Sequence, residues 1–157
     1  MRTISIILFL SITGVFLQAS TDEDGEKAAL KKANLILEKM DIALQTKDLK
    51  EFLDMHMANF HFKFCNETGS SVDDLKNILE SDPHMSQVIV SKHTVKVPSG
   101  SSSVTKVSSN MWKFFYEEHL LLNNNQAFRT EGAIYFIDMG THVKIDSAEE
   151  ECPEKLF

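Results

Sequence analysis

The stretch NFHFKFCNETG, residues 59 to 69, places three phenylalanines, a histidine, a cysteine and an Asn-x-Thr triplet within eleven residues. Cys65 near His61 has the residue types of a nucleophilic thiol and its base, but that chemistry needs an imidazole that reaches the sulfur and depresses its pKa. The chain has one other cysteine, Cys152. In an oxidising compartment such a pair reads as one disulfide. Its closed loop spans 87 residues (152 minus 65), which the chain-entropy model values at about 4–5 kcal/mol. Neither cysteine has a partner at metal-ligand spacing, so a zinc site is not expected. Asn66-Glu67-Thr68 is the one glycosylation sequon, and Asn66 is expected to carry a glycan if the chain is secreted.

The six histidines offer little more. His56 and His61 are five apart across a change from helical to strand spacing, and His84, His93, His119 and His142 are isolated. They read as surface or locally satisfied imidazoles, with no metal and no cofactor. His56 alone falls on an apolar helical stripe and is a candidate pocket-lining residue. Phe60, Trp112, Tyr116 and Tyr135 join it as lining candidates, although an aromatic stripe is more often core. Asp138 and His119 could form an acid–base dyad, but Asp138 reads as the polar end of a strand before a turn.

The compartment follows from the amino terminus. Met1 and Arg2 precede an apolar run, ISIILFL then GVFL, and small residues at Ala19 and Ser20 precede an acidic switch. The pattern is that of a cleaved secretory signal over residues 1–19, with an uncleaved anchor as the runner-up. Removal of 19 from 157 residues leaves 138, enough for one domain with a real core. No second long apolar run exists, so no membrane span is expected in the mature chain. The formal net charge is −7 with scattered Lys and Arg, which argues against nucleic acid and anionic membrane surfaces as partners.

The elements that must position these residues follow from periodicity. After a polar leader, residues 20–26, helical spacing over 27–46 places Leu30, Ala33, Leu37, Met40 and Leu44 on one face. Asp48 caps a second helix with the stripe Leu49, Phe52, Leu53 and His56 or Met57. Phe60, Phe62 and Phe64 then alternate as one buried face of a strand. Ser71 followed by Asp74 starts a third helix that ends near Pro83. From residue 86 the chain reads as sheet: Val88 and Val90 give way to Val95 and Val97, a phase change that predicts a bulge near Ser91–Thr94. Trp112, Phe114 and Tyr116 alternate against Met111 and Phe115. After the turn NNNQ, Phe128, Ile134 and Phe136 oppose Tyr135 and Ile137. Short connections between the last strands predict an antiparallel meander, and the acidic tail is expected to be solvated and pinned only at Cys152. The class is α+β: N-terminal helices packed on a strongly curved antiparallel sheet.

That order, with ALQTKDLKEFLDMHMANFHFKFC and the terminal ECP, resembles the nuclear transport factor 2-like, cone-shaped α+β superfamily, and most closely its small secreted nematode members. The likeness covers residues 27–153, a single domain followed by the tail 154–157. Enzymes of this fold type, the ketosteroid isomerase and scytalone dehydratase types, work inside the cone with a carboxylate or histidine base and a hydrogen-bond donor. The resemblance implies a base position at or next to Phe64 and a tyrosine donor position near Met40; Phe64 can neither take nor give a proton, and methionine is no hydrogen-bond donor. The function expected is therefore a secreted, non-catalytic binding or interaction module for an unknown small ligand or protein partner, holding a small apolar molecule in the cone. The alternatives are a small isomerase- or dehydratase-type enzyme with an unrecognised base, or a homodimeric structural module.

Overall fold

The computed structural model describes the backbone of residues 13–156 and the side chains from residue 23 onward. The apolar run read as a signal lies outside the described residues up to residue 12. Helix α1 spans Thr13–Thr46, so the polar leader is helical and continuous with the amphipathic stretch after it. Its core-facing residues Ala29, Ala33, Ile36, Leu37, Met40, Ala43 and Leu44 recur at helical spacing and are all buried.

The Lys47-Asp48 pair is the hinge between helices. Lys47 takes a left-handed conformation, φ 60°, which ends α1 as a C′ residue does. Asp48 then caps α2, Leu49–Asp54, by accepting from the Glu51 amide at 2.8 Å. Strand β1 follows at once, His56–Phe64, and turns back as β2, Glu67–Gly69. Helix α3, Val72–Ser81, is capped by Ser71, which accepts from the Asp74 amide at 3.1 Å, while the Asp74 carboxylate accepts from the Ser70 amide. A 3-10 turn, Met85–Gln87, leads into β3, Val88–Lys96. The short β4, Val104–Lys106, precedes the long strands β5, Met111–Leu122, and β6, Ala127–Asp138, then β7, Val143–Glu150, and the two-residue β8, Glu154–Lys155.

The sheet order is β2-β1-β7-β6-β5-β3, with β4 beside β5 and β8 beside β6. Helices packed on one face of a curved sheet make the α+β class expected. The sheet is mixed rather than antiparallel, because β1 runs parallel to β7. The long connection through α3 and the meander lets the last strand return in the direction of β1, which a hairpin could not do. Register shifts in β1, in β3 and in β6 against β7 supply the curvature.

Three local expectations are corrected. His56 is the first residue of β1, not part of the α2 stripe: Met55 closes the helix by donating to Phe52, and the Ile145 amide captures the Met55 carbonyl at 2.8 Å. The bulge in β3 lies between Val88 and Val90, before Ser91 rather than after it, because Ser91 and His93 both turn inward. The tail is not held at Cys152 alone, since β8 pairs with β6 at Phe128 and Arg129.

Candidate functional site

The inner face of β5 reads Trp112, Phe114, Tyr116, Glu118 at alternate positions, all buried. The first two belong to the hydrophobic core with Phe60, Phe62, Ile134, Phe136 and Ile145. The last two reach a chamber of about 490 Å³ at the other end of the cone, bounded by α3, the 3-10 turn and the strands. The size is that of a small-molecule site, and the lining is mostly apolar, with Met40, Phe52, Phe64, Leu75, Leu122 and Ile145 among its walls.

Polar groups in that wall come from several strands, and Asp41 of α1 stands behind them. Register places His93 of β3 directly across from Glu118 of β5. Helix α1 lays Asp41 over the same point. One Asp41 carboxylate accepts from the His93 amide at 3.0 Å, the His93 Nδ1 at 2.6 Å and the Ser91 hydroxyl at 2.7 Å. The other imidazole nitrogen, Nε2, stands 3.1 Å from Glu118 Oε1. Burial pushes the His93 pKa down, but Glu118 and Asp41 on either side outweigh it and carry it up to about 10. His93 is thus an imidazolium with both N–H groups committed. Burial raises Asp41, and the donations from His93 and Ser91 bring it below its ordinary value.

Tyr116 and Glu150 lie two strands apart and meet across Gly132. The register sets Tyr116 opposite Gly132 and Gly132 opposite Glu150. A Cβ at position 132 would sit 2.7 Å from the Tyr116 hydroxyl and 2.5 Å from the Glu149 carbonyl. The bare glycine lets the phenol cross β6 and donate to Glu150 Oε1. Burial, then the Glu118 charge, lifts Glu150, while the Tyr116 donation and His93 pull it back, leaving it at about 7. Burial and Glu150 raise Tyr116 well above the usual phenol range, so it stays protonated. Across the chamber, His56 donates Nδ1–H to the Phe52 carbonyl at 2.9 Å, and burial lowers its pKa to about 4. It is neutral, with a lone pair on Nε2.

The arrangement gives a largely apolar pocket holding one carboxyl poised near neutrality, a second carboxylate fixed by an imidazolium, and a phenol. The candidates named from the sequence divide. His56 and Tyr116 line the chamber. Phe60 and Trp112 are core residues, Phe60 stacked on Phe62 and Trp112 set against Gly25 of α1. Tyr135 is on the outer face of β6, under the Lys113 ammonium at 4.9 Å, because odd-numbered residues of that strand face away from the helices. Asp138 is paired with Lys32 at 2.5 Å, and His119 with Glu117 on the outer face; the two never meet. Phe64 and Met40 both line the chamber and contribute only hydrocarbon and sulfur.

Cys65 and Cys152 are joined by a disulfide, and Asn66 is exposed in the adjoining turn. Among the described residues no group of three or more His, Cys, Asp or Glu is placed to hold a metal ion, and no helix is long and apolar enough to cross a membrane. Sequence reasoning missed Asp41, His93, Glu118 and Glu150. The period-2 pattern of β5 carried a signal for Glu118, two residues beyond Tyr116. Nothing local marked Glu150, which sits in an acidic run.

No protein-family model matches the chain, and no curated protein sequence does. Solved structures do. An NTF-2 like protein of unknown function from Shewanella oneidensis MR-1 is 10% identical, with a TM-score of 0.64 over 78% of this chain and 98% of its own. A ketosteroid isomerase-like protein from Erwinia carotovora atroseptica is 9% identical, with a TM-score of 0.61 over 82% and 96%. A type 2 hexachlorocyclohexane dehydrochlorinase is 10% identical, with a TM-score of 0.59 over 88% and 93%. The fold is therefore the nuclear transport factor 2-like cone. Proteins that share it include enzymes and proteins of unknown function, so fold leaves activity open.

Proposed function

We propose that the chain is a secreted module that holds one small, largely apolar molecule in its cone. The single observation that carries this reading is the chamber of about 490 Å³, apolar over most of its wall and polar at one convergent point. The Cys65–Cys152 disulfide fits an oxidising compartment. Signal cleavage after Ala19 or Ser20, a glycan on exposed Asn66 and closeness to the small secreted nematode proteins belong to the same proposal, as does a second copy as partner on the outer sheet face. The test is intact-protein mass spectrometry on material secreted by a eukaryotic host. The expected spectrum shows a chain lacking its first 19 or 20 residues, a glycan that Asn66→Gln removes, and a co-purifying small molecule released by denaturation. A full-length, unglycosylated chain with nothing bound would overturn it.

A second reading is favoured by one specific feature, Glu150 at about 7 beside Tyr116. Such a carboxyl is matched to proton abstraction and return at neutral pH, the work of an isomerase- or dehydratase-type enzyme. Glu150 would be the base that the sequence did not reveal.

A further inference from the structure

We propose that the molecule taken by the chamber is a hydrophobic amine, held as its ammonium ion between Glu150 and Glu118. This rests on the reading of the cone as a small-molecule site and names the chemistry of its occupant. Among the described residues no lysine or arginine lines the chamber, whereas Glu118 and Glu150 lie inside it and Glu67, Asp82 and Glu151 stand around its rim, where His84 is paired with Asp82. The donors within are already used: the Tyr116 proton on Glu150 Oε1, the two N–H groups of His93 on Asp41 and Glu118, and the His56 proton on the Phe52 carbonyl.

What remains for a guest is acceptors. No protein group among the described residues donates to Oε2 of Glu150 or of Glu118, and neither atom is a sealed, unsatisfied one. His56 adds a bare Nε2. Among the described residues the uncommitted inner donors are the Thr130 hydroxyl, which can give or accept, and the proton that Glu150 carries below about 7. Glu118 is 8% exposed, so its charge acts through a medium of low polarity. A guest carboxylate would be repelled here, a neutral alcohol would offer a single uncharged donor, and an ammonium offers three donors and the opposite charge. The apolar walls take the rest of the guest.

Glu150 makes this binding proton-linked. The groups that face it are Tyr116 and Glu118 of β5 and His93 of β3, with Asp41 of α1 behind His93. Gly132 and Thr130 of β6 and Phe64 of β1 are uncharged, and Glu151 follows it in the chain. Lys63, Lys96, Glu131 and Glu149 lie along the outer side of the same wall. An ammonium favours the ionised carboxylate, so below neutrality the guest must drive a proton off Glu150.

The test is calorimetric titration of the disulfide-bonded mature protein with 6-phenylhexylamine, 6-phenylhexanol and 6-phenylhexanoate, with methyl NMR of Ile134, Ile145 and Leu122 to locate binding. The amine should bind at least tenfold tighter than the alcohol, and the carboxylate weakest. From pH 7.5 to 5.5 the amine's affinity should fall about tenfold or more, while the alcohol's stays level. Glu150→Gln should remove the pH dependence and reduce the preference to what Glu118 alone supplies. Glu118→Gln, checked for native NMR dispersion, should weaken the amine without abolishing its pH dependence. Equal binding of the three probes, or a preference for the carboxylate, overturns the amine while leaving the chamber as a binding site. No binding, with unmoved chamber methyls, overturns both.

Discussion

Glu150 is the residue where burial and chemistry conflict. Its folded pKa is raised to about 7 from an ordinary 4.5, so the native state holds its proton more tightly than the unfolded chain does. The stability tied to that proton is fully present below about 4.5 and is lost as pH rises through 7. Glu150→Gln keeps an oxygen for the Tyr116 hydroxyl and removes the buried charge. The variant should match the wild type near pH 4 and exceed it at pH 8 by roughly 1–3 kcal/mol, read by urea unfolding at each pH. A difference that does not change with pH would refute the assignment. The comparison must be made pairwise at each pH, because other groups titrate too. His56, lowered to about 4, contributes stability that is present above 6.5 and lost as pH falls. His93, raised to about 10, contributes stability that is lost only as pH climbs toward that value.

At the scale of elements, the disulfide decides where β7 ends and how the tail lies. Cys65 takes a left-handed conformation, φ 49°, in the turn between β1 and β2, and its amide donates to the Glu150 carbonyl. Cys152 follows Glu150 by two residues, so the bridge clamps the β1–β7 pair beside the chamber, and β8 continues along β6. Cys65→Ser should cost about 4 kcal/mol or somewhat less in denaturant unfolding. It should also raise hydrogen exchange at Glu151, where the amide bonds to the Glu131 carbonyl, and at Leu156, bonded to Ala127. Unchanged protection at these two amides would show that β8 holds itself. The helices carry their own information: Asp48 and Ser71 caps, and the Lys47 left-handed stop, are local features, legible as such in the sequence.

The molecule as a whole presents a second surface besides the chamber. On the outer face of β5 and β6, Phe115 is 39% exposed and Tyr135 and Ile137 are half-buried, with the Lys113 ammonium 4.6 Å over Phe115. Toward the other end of the same face, Arg129 binds Glu117 and Glu131, and Lys96 joins Glu131. If a second copy covers the apolar half, sedimentation equilibrium will give twice the chain mass, and Phe115→Glu will restore the monomer. Association should strengthen with salt, because each copy carries a formal charge of −7. A single-chain mass at high concentration and high salt would exclude the face-to-face pair.

Most of the elements, and the staple, are written in short-range patterns. Caps, stops and apolar periods act within a few residues, and two cysteines admit one intramolecular pairing, so α1, α2, α3, the strand at Phe60–Phe64 and the Cys65–Cys152 bridge were readable from local spacing. The site is a product of long-range packing. Asp41, His93, Glu118 and Glu150 come from four elements up to 109 positions apart (150 minus 41), and each alone looks like a solvated charge. Only the register of β3, β5, β6 and β7, with α1 laid across them, brings the four together, and only the missing side chain of Gly132 lets Tyr116 reach Glu150. A carboxyl's pKa is set by what surrounds it in space, which spacing along the chain does not encode.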